Sequence, residues 1–246
     1  MGPQNFSEKL AVVIPTLNEA GNIPTLLNRL QNALATANVN YELIVVDDDS
    51  RDSTSDVARQ YAAQDPRIRV FIRKGERGLA GAVLHGWRET NATLLGVIDA
   101  DLQHPPEVLP ELLNAVRKGN DIAIASRYAV KDQDCVGNWN VVRKLISKFG
   151  TLVTMPLQRK NVRVKDPLSG FFVVRSSAIS GLALQPEGFK ILLEILVKGR
   201  IKKAAEIPFH FSTRHSGKSK ADMRVALQYF SLLGKLSRHA IFRLGQ

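Results

Sequence analysis

The chain has 246 residues, of which 44% are hydrophobic and 23% charged, a composition that predicts a globular protein and excludes general disorder. Its single cysteine, Cys135, excludes a disulfide framework and a cysteine-based zinc or iron–sulfur site. No secretory leader is recognisable, and no stretch reaches the roughly 18 apolar residues that a membrane span needs. We therefore expect a protein of a reducing, cytosolic compartment that does not cross a bilayer.

The net charge of +11 is distributed unevenly along the chain. Residues 1–126 hold 12 Lys/Arg against 16 Asp/Glu, whereas residues 127–246 hold 22 against 7. A basic surface can serve solubility alone. Here, however, the basic residues cluster with Ser, His and Gly in SRY (126–128) and STRHSGKSK (212–220), which favours phosphate binding. The second half is therefore predicted to bind a polyanion, a phosphorylated ligand or an anionic membrane face.

In the first half, short apolar runs alternate with segments whose apolar residues have helical spacing. In chain order we predict a strand Leu10–Ile14, a helix over 23–34, a strand Tyr41–Val46, a helix Ser53–Ala63, a strand Ile68–Ile72, a helix Leu79–Glu89, a strand Thr93–Ile98, a helix Pro106–Lys118 and a strand Asp121–Ala125. This alternation predicts an α/β fold with a mainly parallel central sheet flanked by helices. Ligands of such sheets bind beyond the carboxyl ends of the strands.

After Ala125 the alternation becomes less regular. The predicted elements are a loop to about Asn140, a helix Val141–Met155, a turn at DPLSG (166–170), a strand Phe171–Arg175, a helix Phe189–Lys198 and a strand Ala204–Phe209. No linker separates the halves, so residues 1–220 are predicted to form one domain. Residues 221–246 are predicted to form an amphipathic, basic helical tail, which either docks on a membrane surface or packs on the core.

Three oxygen-bearing side chains follow the predicted fourth strand at alternate positions, namely Asp99, Asp101 and Gln103. If the chain stays extended, these side chains point to one side of the strand. Such a set suits Mg²⁺ or Mn²⁺, which complete their shells with water and substrate phosphates. The alternative is that the two carboxylates cap the helix that begins near Pro106.

The predicted second strand is followed by Asp47, Asp48, Asp49 and Ser50. Adjacent carboxylates repel one another and need donors. A nucleobase and the hydroxyl groups of a ribose would supply such donors. The alternative is a turn and a helix cap formed by Ser50 or Asp52.

Several common chemistries lack support in the sequence. The segment GLAG (78–81) is not a dinucleotide-binding GxGxxG, and neither an HExxH zinc motif nor a GxSxG nucleophile elbow is present. We assign no role to the five scattered histidines. A nucleic-acid-binding protein would explain the positive charge, but it would leave the carboxylates idle and would lack aromatic residues, which make up 7% of the chain. We therefore expect no nucleic-acid partner.

Taken together, these motifs resemble the family 2 glycosyltransferases, and within that family they are most similar to the dolichol-phosphate (polyprenol-phosphate) mannose synthases. The resemblance runs from about Leu10 to Lys220. Its motifs are PTLNE (15–19), VDDDS (46–50), GLAGA (78–82), DADLQHPPE (99–107), SRY (126–128), RKLIS (143–147), DPLSGFF (166–172), GFKILLEIL (188–196) and PFHFSTRHSGKSK (208–220). One departure is Asp49, where the family often has Asn or Gly.

The resemblance implies a GT-A fold and a role for each matching residue. The nucleotide would be held by Pro15, Thr16, Glu19, Asp47, Asp48 and Asp99. The metal would be held by Asp99, Asp101 and Gln103, the acceptor phosphate by Arg127, Arg143 and Ser147, and the donor diphosphate by Arg214 and Lys220. Asp101 and Arg127 are implied to be catalytic.

The implied reaction is an inverting transfer of mannose from GDP-mannose to dolichyl or polyprenyl phosphate. A phosphate monoester has a second pKa near about 6, so it attacks as a dianion and needs no strong general base. A polyprenyl-phosphate transferase that uses a UDP-sugar such as UDP-glucose would share these motifs and remains the alternative. The resemblance also implies a peripheral location on the cytosolic face of a membrane, with either a membrane subunit or a further C-terminal membrane domain as partner.

Overall fold

The computed structural model describes residues 8–129, 153–159, 162–185, 190–210, 233–234 and 236. Its strands are β1 (Lys9–Thr16), β2 (Asn40–Asp47), β3 (Ile68–Ile72), β4 (Leu94–Val97), β5 (Ile122–Ser126), β6 (Phe172–Arg175) and β7 (Ala204–Pro208). Its α-helices are α1 (Ile23–Ala35), α2 (Thr54–Gln64), α3 (Leu79–Arg88), α4 (Leu109–Arg117), α5 (Ser176–Ile179) and α6 (Ile191–Lys198), and short 3₁₀ turns cover Pro106–Val108 and Met155–Leu157.

The seven strands form one sheet in the order β3-β2-β1-β4-β6-β5-β7. Strand β6 is antiparallel to both of its neighbours, β4 and β5, whereas every other pairing is parallel. The predicted α/β fold with a mainly parallel sheet is therefore confirmed. Because β6 runs in the opposite direction, the loop that precedes it lies at the edge where the parallel strands end. This edge collects residues from both halves of the chain.

Both faces of the sheet are buried, as alternation along β1 shows. Leu10, Val12 and Ile14 belong to the core beneath α1, α2 and α4, whereas Ala11 and Val13 belong to the core beneath α3 and α6. All five side chains are fully buried. Burial of apolar surface contributes about 25 cal/mol per Å² to the free energy of folding. Burial on both faces therefore stabilises β1 in the interior of the sheet.

Two predicted boundaries differ from the structure because of local chain geometry. The predicted helix Pro106–Lys118 is split into a 3₁₀ turn and α4, with Pro110 in the first turn of α4, where its missing N–H costs no helical hydrogen bond. Strand β4 ends at Val97, earlier than predicted, and the following chain turns. Within the described ranges, no helix has the length and hydropathy needed to cross a membrane.

Part of the tail contacts the domain. Leu233 and Leu236 are buried in a small cluster with Leu157 and with Leu193 and Val197 of α6. At these two positions the tail packs on the core, which is one of the two arrangements predicted for it. Most of the predicted helix Val141–Met155 and the rest of the tail lie outside the described residues.

Candidate active site

The carboxylates that follow β2 are held by partners close to them in the fold. Thr16 pairs with Asp47 in the β1–β2 register, and its hydroxyl donates to Asp47 Oδ1 at 2.9 Å. Ser50 donates its backbone N–H to Asp47 Oδ2 at 3.0 Å and its hydroxyl to Oδ1 at 2.5 Å. Asp47 is 1% exposed, so this carboxylate is buried at the carboxyl end of β2. Ser50 therefore stabilises the predicted turn by bonding back to Asp47.

Asp48 is bound by a residue that sequence reasoning missed. Arg73 Nε donates to Asp48 Oδ1 at 2.8 Å, and the backbone N–H of Gly78 donates to Oδ2 at 2.7 Å. Burial raises the pKa of Asp48 above its usual value, against the opposing effects of Gly78 and Arg73. Arg73 directly follows β3, the strand beside β2. Its position after a neighbouring strand is the signal that could have identified it.

Arg73 is itself confined by α3. A Cβ atom placed on Gly81 would lie 2.3 Å from Arg73 Nη1, which is far shorter than a van der Waals contact. The Arg73 side chain is 5% exposed and pairs with both Asp48 and Glu76. The glycine therefore leaves the space in which the guanidinium reaches Asp48.

The loop after β1 places the remaining predicted nucleotide residues. Pro15 lies within β1, opposite Val46 of β2. Glu19 Oε2 accepts a hydrogen bond from Asn22 Nδ2 at 2.7 Å, and its backbone N–H donates to Thr54 Oγ1 at 2.9 Å. Glu19 thus organises the start of α1 at the same edge as Asp47 and Asp48.

The other alternative for the acidic segment is also realised in part. The N-cap of α2 is Ser53, not Ser50 or Asp52 as predicted. Asp52, one residue earlier, still supports the start of the helix, because its Oδ1 accepts the backbone N–H of Thr54 at 3.0 Å. Asp49 is exposed and has a φ of 55°, a backbone conformation that Asp and Asn tolerate better than most residues. The four acidic residues of this segment therefore differ in their surroundings. Asp47 and Asp48 are buried with partners, Asp49 is exposed, and Asp52 bonds to the start of α2.

The segment after β4 does not stay extended. The chain turns at Ala100 and Asp101, and Leu102 has a φ of 60°. The expectation that Asp99, Asp101 and Gln103 align at period two along an extended strand is therefore wrong. The turn instead brings the backbone N–H of Gln103 to Asp101 Oδ1 at 3.1 Å, and both residues are 9% exposed. Asp101 and Gln103 remain together, but through a turn.

Asp99 lies against the loop that precedes β6. A Cβ atom placed on Gly170 would lie 2.0 Å from Asp99 Oδ2 and 2.5 Å from its Cγ. The Asp99 carboxylate therefore rests directly on the backbone of Gly170. This contact joins the first half of the chain to the second.

Arg127 forms a buried ion pair with Asp166, a residue of the DPLSG motif to which no role was assigned from sequence. Nη2 of Arg127 lies 2.6 Å from Asp166 Oδ1, Nε lies 2.8 Å from Oδ2, and the Arg127 backbone N–H donates to Oδ2 at 3.0 Å. Burial would raise the pKa of Asp166, but the bonds to Arg127 hold it below its usual value. Burial likewise lowers, and Asp166 raises, the pKa of Arg127, with a net increase. The pair is therefore ionised.

Two further titratable residues lie beside this pair. Lys190 donates to the carbonyl of Leu168 at 3.0 Å, and its pKa is lowered by burial and by Arg127, against the opposing effects of Asp99 and Asp166. His104 is 4% exposed and contacts the rings of Phe171 and Phe209, with centroids 6.0 Å and 5.2 Å away. Burial lowers its pKa to about 4. His104 is therefore neutral at pH 7.

The predicted metal ligands agree chemically with a hard divalent cation. Two carboxylates and one amide supply oxygen donors, the ligand type that Mg²⁺ and Mn²⁺ prefer. In the described ranges, no three His, Cys, Asp or Glu side chains form a group that could hold a metal ion. A cation at Asp99 and Asp101 would therefore need further oxygens, which a diphosphate supplies.

Four of the predicted phosphate-binding residues belong to segments outside the part of the chain that the structure describes. They are Arg143, Ser147, Arg214 and Lys220. Among the predicted phosphate-binding cations, Arg127 is thus the one that the structure locates. Arg127 directly follows β5, so it lies at the same sheet edge as the carboxylates that follow β2 and β4.

Comparisons with known proteins agree with this geometry. Residues 11–180 match the model of glycosyl transferase family 2. A dolichol-phosphate mannosyltransferase of Pyrococcus furiosus is 44% identical over 94% of this chain, which spans 64% of that relative's length. A dolichol-phosphate mannosyltransferase of Mycosarcoma maydis is 35% identical, and the alignment covers 96% of this chain and 80% of that relative's length.

A solved structure of a mannosyltransferase from Pyrobaculum calidifontis, in complex with GDP-Man and Mn²⁺, has a TM-score of 0.64 at 14% identity. The alignment covers 96% of this chain and 67% of that protein. With the sheet order described above, this likeness confirms the predicted GT-A fold.

Proposed function

This chain belongs to glycosyl transferase family 2, and from that premise we propose that it transfers mannose from GDP-mannose to dolichyl or polyprenyl phosphate. The observation that carries the proposal is that the Asp99 carboxylate and the Arg127 guanidinium lie at one sheet edge against the same DPLSG segment, Asp99 on Gly170 and Arg127 on Asp166. A donor diphosphate with its metal and an acceptor phosphate both need this combination of charges. The names of the two relatives supply the sugar and the lipid.

On the donor side, the nucleoside lies over Asp47 and Asp48, with Pro15, Thr16 and Glu19 at its border. A carboxylate has about four lone-pair sites. Asp48 uses two of them for Arg73 and Gly78, so it retains acceptor capacity for a ring N–H or an amino group. Its fixed orientation lets it select among bases by hydrogen bonding.

The metal site comprises Asp99, Asp101 and Gln103. These residues would hold Mg²⁺ or Mn²⁺, which would supply neutralisation of charge on the leaving diphosphate. The turn at Leu102 supports this assignment, because it brings the backbone N–H of Gln103 to the Asp101 carboxylate just after β4. Arg214 and Lys220 add positive charge near the diphosphate.

On the acceptor side, Arg127 binds the lipid phosphate together with Arg143 and Ser147. An oxygen of the phosphate dianion attacks the anomeric carbon as the bond to the GDP oxygen breaks, which inverts the configuration. Because the nucleophile is already ionised at neutral pH, the site needs alignment and charge neutralisation more than a base. His104, whose pKa burial lowers to about 4, is neutral at pH 7, and the reaction assigns it no proton transfer.

A lipid acceptor requires access to a membrane. We propose that the protein works on the cytosolic face, where the basic tail 221–246 contacts anionic headgroups and a membrane subunit or a further membrane domain completes the assembly. Leu233 and Leu236 face the core, so docking would use other tail residues. Sedimentation with anionic and with neutral liposomes tests this proposal, since equal binding to both would contradict headgroup recognition.

The central experiment is transfer of radiolabelled sugar to polyprenyl phosphate, run in parallel with GDP-mannose and UDP-glucose, each with Mg²⁺, Mn²⁺ or EDTA. Metal-dependent mannolipid is the expected product. Glucolipid in place of mannolipid would assign the same site to a UDP-sugar. The absence of any lipid product with either donor would contradict the proposed acceptor.

A further inference from the structure

The loop that precedes β6 (residues 166–170, the DPLSG loop) is anchored at both ends. At one end Asp166 forms the buried pair with Arg127. At the other end the Ser169 hydroxyl donates to the carbonyl of Ala125 at 2.7 Å and accepts the backbone N–H of Phe171 at 3.2 Å. The backbone between these anchors is therefore held in place relative to β5.

Gly170 faces Asp99 and lies between Ser169 and Phe171, whose carbonyl accepts the backbone N–H of Ala125 at 3.0 Å. A Cβ atom at this position would lie 2.0, 2.5 and 2.8 Å from Oδ2, Cγ and Oδ1 of Asp99. Gly170 is not among the residues with positive φ, so an L-residue can adopt its backbone conformation. The position therefore requires glycine for lack of space, and the occupied space belongs to one carboxylate.

Added volume at Gly170 would displace Asp99 more readily than the loop. The loop is held by the Ser169 hydrogen bonds and by an ion pair whose Asp166 side chain is fully buried. The Asp99 carboxylate interacts electrostatically with Arg127 and Lys190, but it can shift by rotation of a short side chain without breaking the hydrogen bonds of the loop. Larger residues at this position would thus leave the fold intact and move the carboxylate.

We propose that Gly170 is a positioning residue that sets the Asp99 carboxylate for metal binding, by offering its bare backbone as the surface on which the carboxylate rests. The inference rests on the proposed function, because it takes Asp99 as a metal ligand. It also makes the DPLSG loop a rigid connection between the acceptor arginine and the metal-binding aspartate. The distance between the two substrates is then fixed by residues 166–170.

The test compares Gly170→Ala with Gly234→Ala, a matched control, since a Cβ atom at Gly234 meets nothing within 4 Å. Mn²⁺ affinity is measured by electron paramagnetic resonance in the presence of GDP, alongside Tm and the Mn²⁺ dependence of mannose transfer. Loss of an outer partner of a metal ligand weakens metal binding by about 10- to 100-fold. We expect a loss in this range for Gly170→Ala with a wild-type Tm, and none for Gly234→Ala.

Two further variants keep the inference falsifiable if Gly170→Ala loses stability. Ser169→Ala removes the hydroxyl's hydrogen bonds to Ala125 and Phe171 without adding volume, and we expect this loosening of the loop to weaken Mn²⁺ binding about three-fold. In an Asp99→Asn background, Gly170→Ala should cause little additional loss, because both changes act on the same group.

The outcomes separate the two proposals. If the wild type fails to bind Mn²⁺ in the presence of GDP, the proposed metal-dependent function is wrong and the inference is overturned with it. If the wild type binds Mn²⁺ and Gly170→Ala binds it equally well, the inference alone is overturned. Additive losses in the double variant would also overturn it.

Discussion

The two groups of acidic residues at the sheet edge are stabilised in different ways. Asp47 is satisfied by hydroxyl and backbone donors from adjacent segments, Thr16 and Ser50. Asp99 instead meets groups from the distant second half of the chain, the backbone of Gly170 and the charges of Arg127 and Lys190. The first group is held by hydrogen-bond donors that include one cation, Arg73 at Asp48, whereas Asp99 lies among charges from the second half of the chain. The difference matches a base-binding region and a region where charge moves during reaction.

Each group nevertheless depends on a glycine that leaves space for a charged side chain. On the β2 side Gly81 leaves room for Arg73, which holds Asp48, and on the β4 side Gly170 leaves room for Asp99 itself. Gly81 affects Asp48 only through Arg73, whereas Gly170 contacts Asp99 directly. Substitutions on the β4 side should therefore have the larger effects.

The largest effect is expected from Asp101→Asn. This change removes one negative charge but keeps the oxygen that accepts the Gln103 N–H. Loss of one electrostatic group in a catalytic site lowers kcat by about 10²- to 10³-fold, and steady-state mannose transfer measures it. Asp49→Asn, at an exposed position on the β2 side, is the control and should retain activity. Wild-type turnover by Asp101→Asn would remove the metal assignment and with it the distinction between the two sides.

Arg127→Ala is expected to have the next largest effect. Loss of charge-assisted hydrogen bonds to the acceptor phosphate should raise the KM for polyprenyl phosphate by about 10- to 100-fold. The change also leaves Asp166 buried without its partner, which costs about 3–5 kcal/mol of unfolding free energy. Acceptor titrations and urea unfolding measure the two effects separately.

A double variant distinguishes binding from stability at this pair. Arg127→Met with Asp166→Leu removes both charges and should recover much of the lost stability, while the KM for the acceptor stays high. If acceptor use recovered together with stability, Arg127 would have a structural role alone. The β4 side would then resemble the β2 side more closely than we infer.

The pH dependence of stability should come from the β4 side. His104 has a pKa of about 4 in the folded protein against an ordinary value of 6.5. Between these values the unfolded chain binds the proton more readily, so unfolding free energy falls as the pH falls from 6.5 to 4, by about 3 kcal/mol from this residue. Urea unfolding across this range should show a shallower slope for His104→Gln. Equal slopes would show that other groups cause the dependence.

The smallest effect is expected from Gly81→Ala on the β2 side. The added methyl group moves the Arg73 guanidinium and weakens its hydrogen bond to Asp48, at a cost of about 0.5–1 kcal/mol. The KM for the donor should rise about two- to five-fold, with kcat and the Mn²⁺ dependence unchanged. A change in Mn²⁺ dependence would mean that the two sides are coupled. Gly234→Ala is again the control.

The sequence predicted the sheet and its flanking helices well because their signals are local. Alternating apolar runs located β1 and β2 to within a few residues, and the carboxylates after β2 were recognised because their partners lie on neighbouring segments. The turn at Leu102 was missed, since a positive φ at a leucine leaves no mark in composition. Asp166 and Gly170 belong to a motif that was recognised, but their contacts with Arg127 and Asp99 depend on the reversed strand β6, which periodicity does not reveal.

The reversed strand also bears on how the protein folds. The pairings of β2 with β1 and with β3, such as Lys9 with Asn40 and Leu43 with Ile68, close shorter loops than the pairings of β4 and β6 do, so the base-binding cradle forms through the shorter closures. Strand β6 must insert between β4 and β5, and its pairing of Val97 with Phe172 closes a long loop. Long closures are entropically unfavourable and slow. During synthesis the cradle can therefore form first, and the assembly of Asp99, Arg127 and Gly170 into one reaction centre is among the last events of folding.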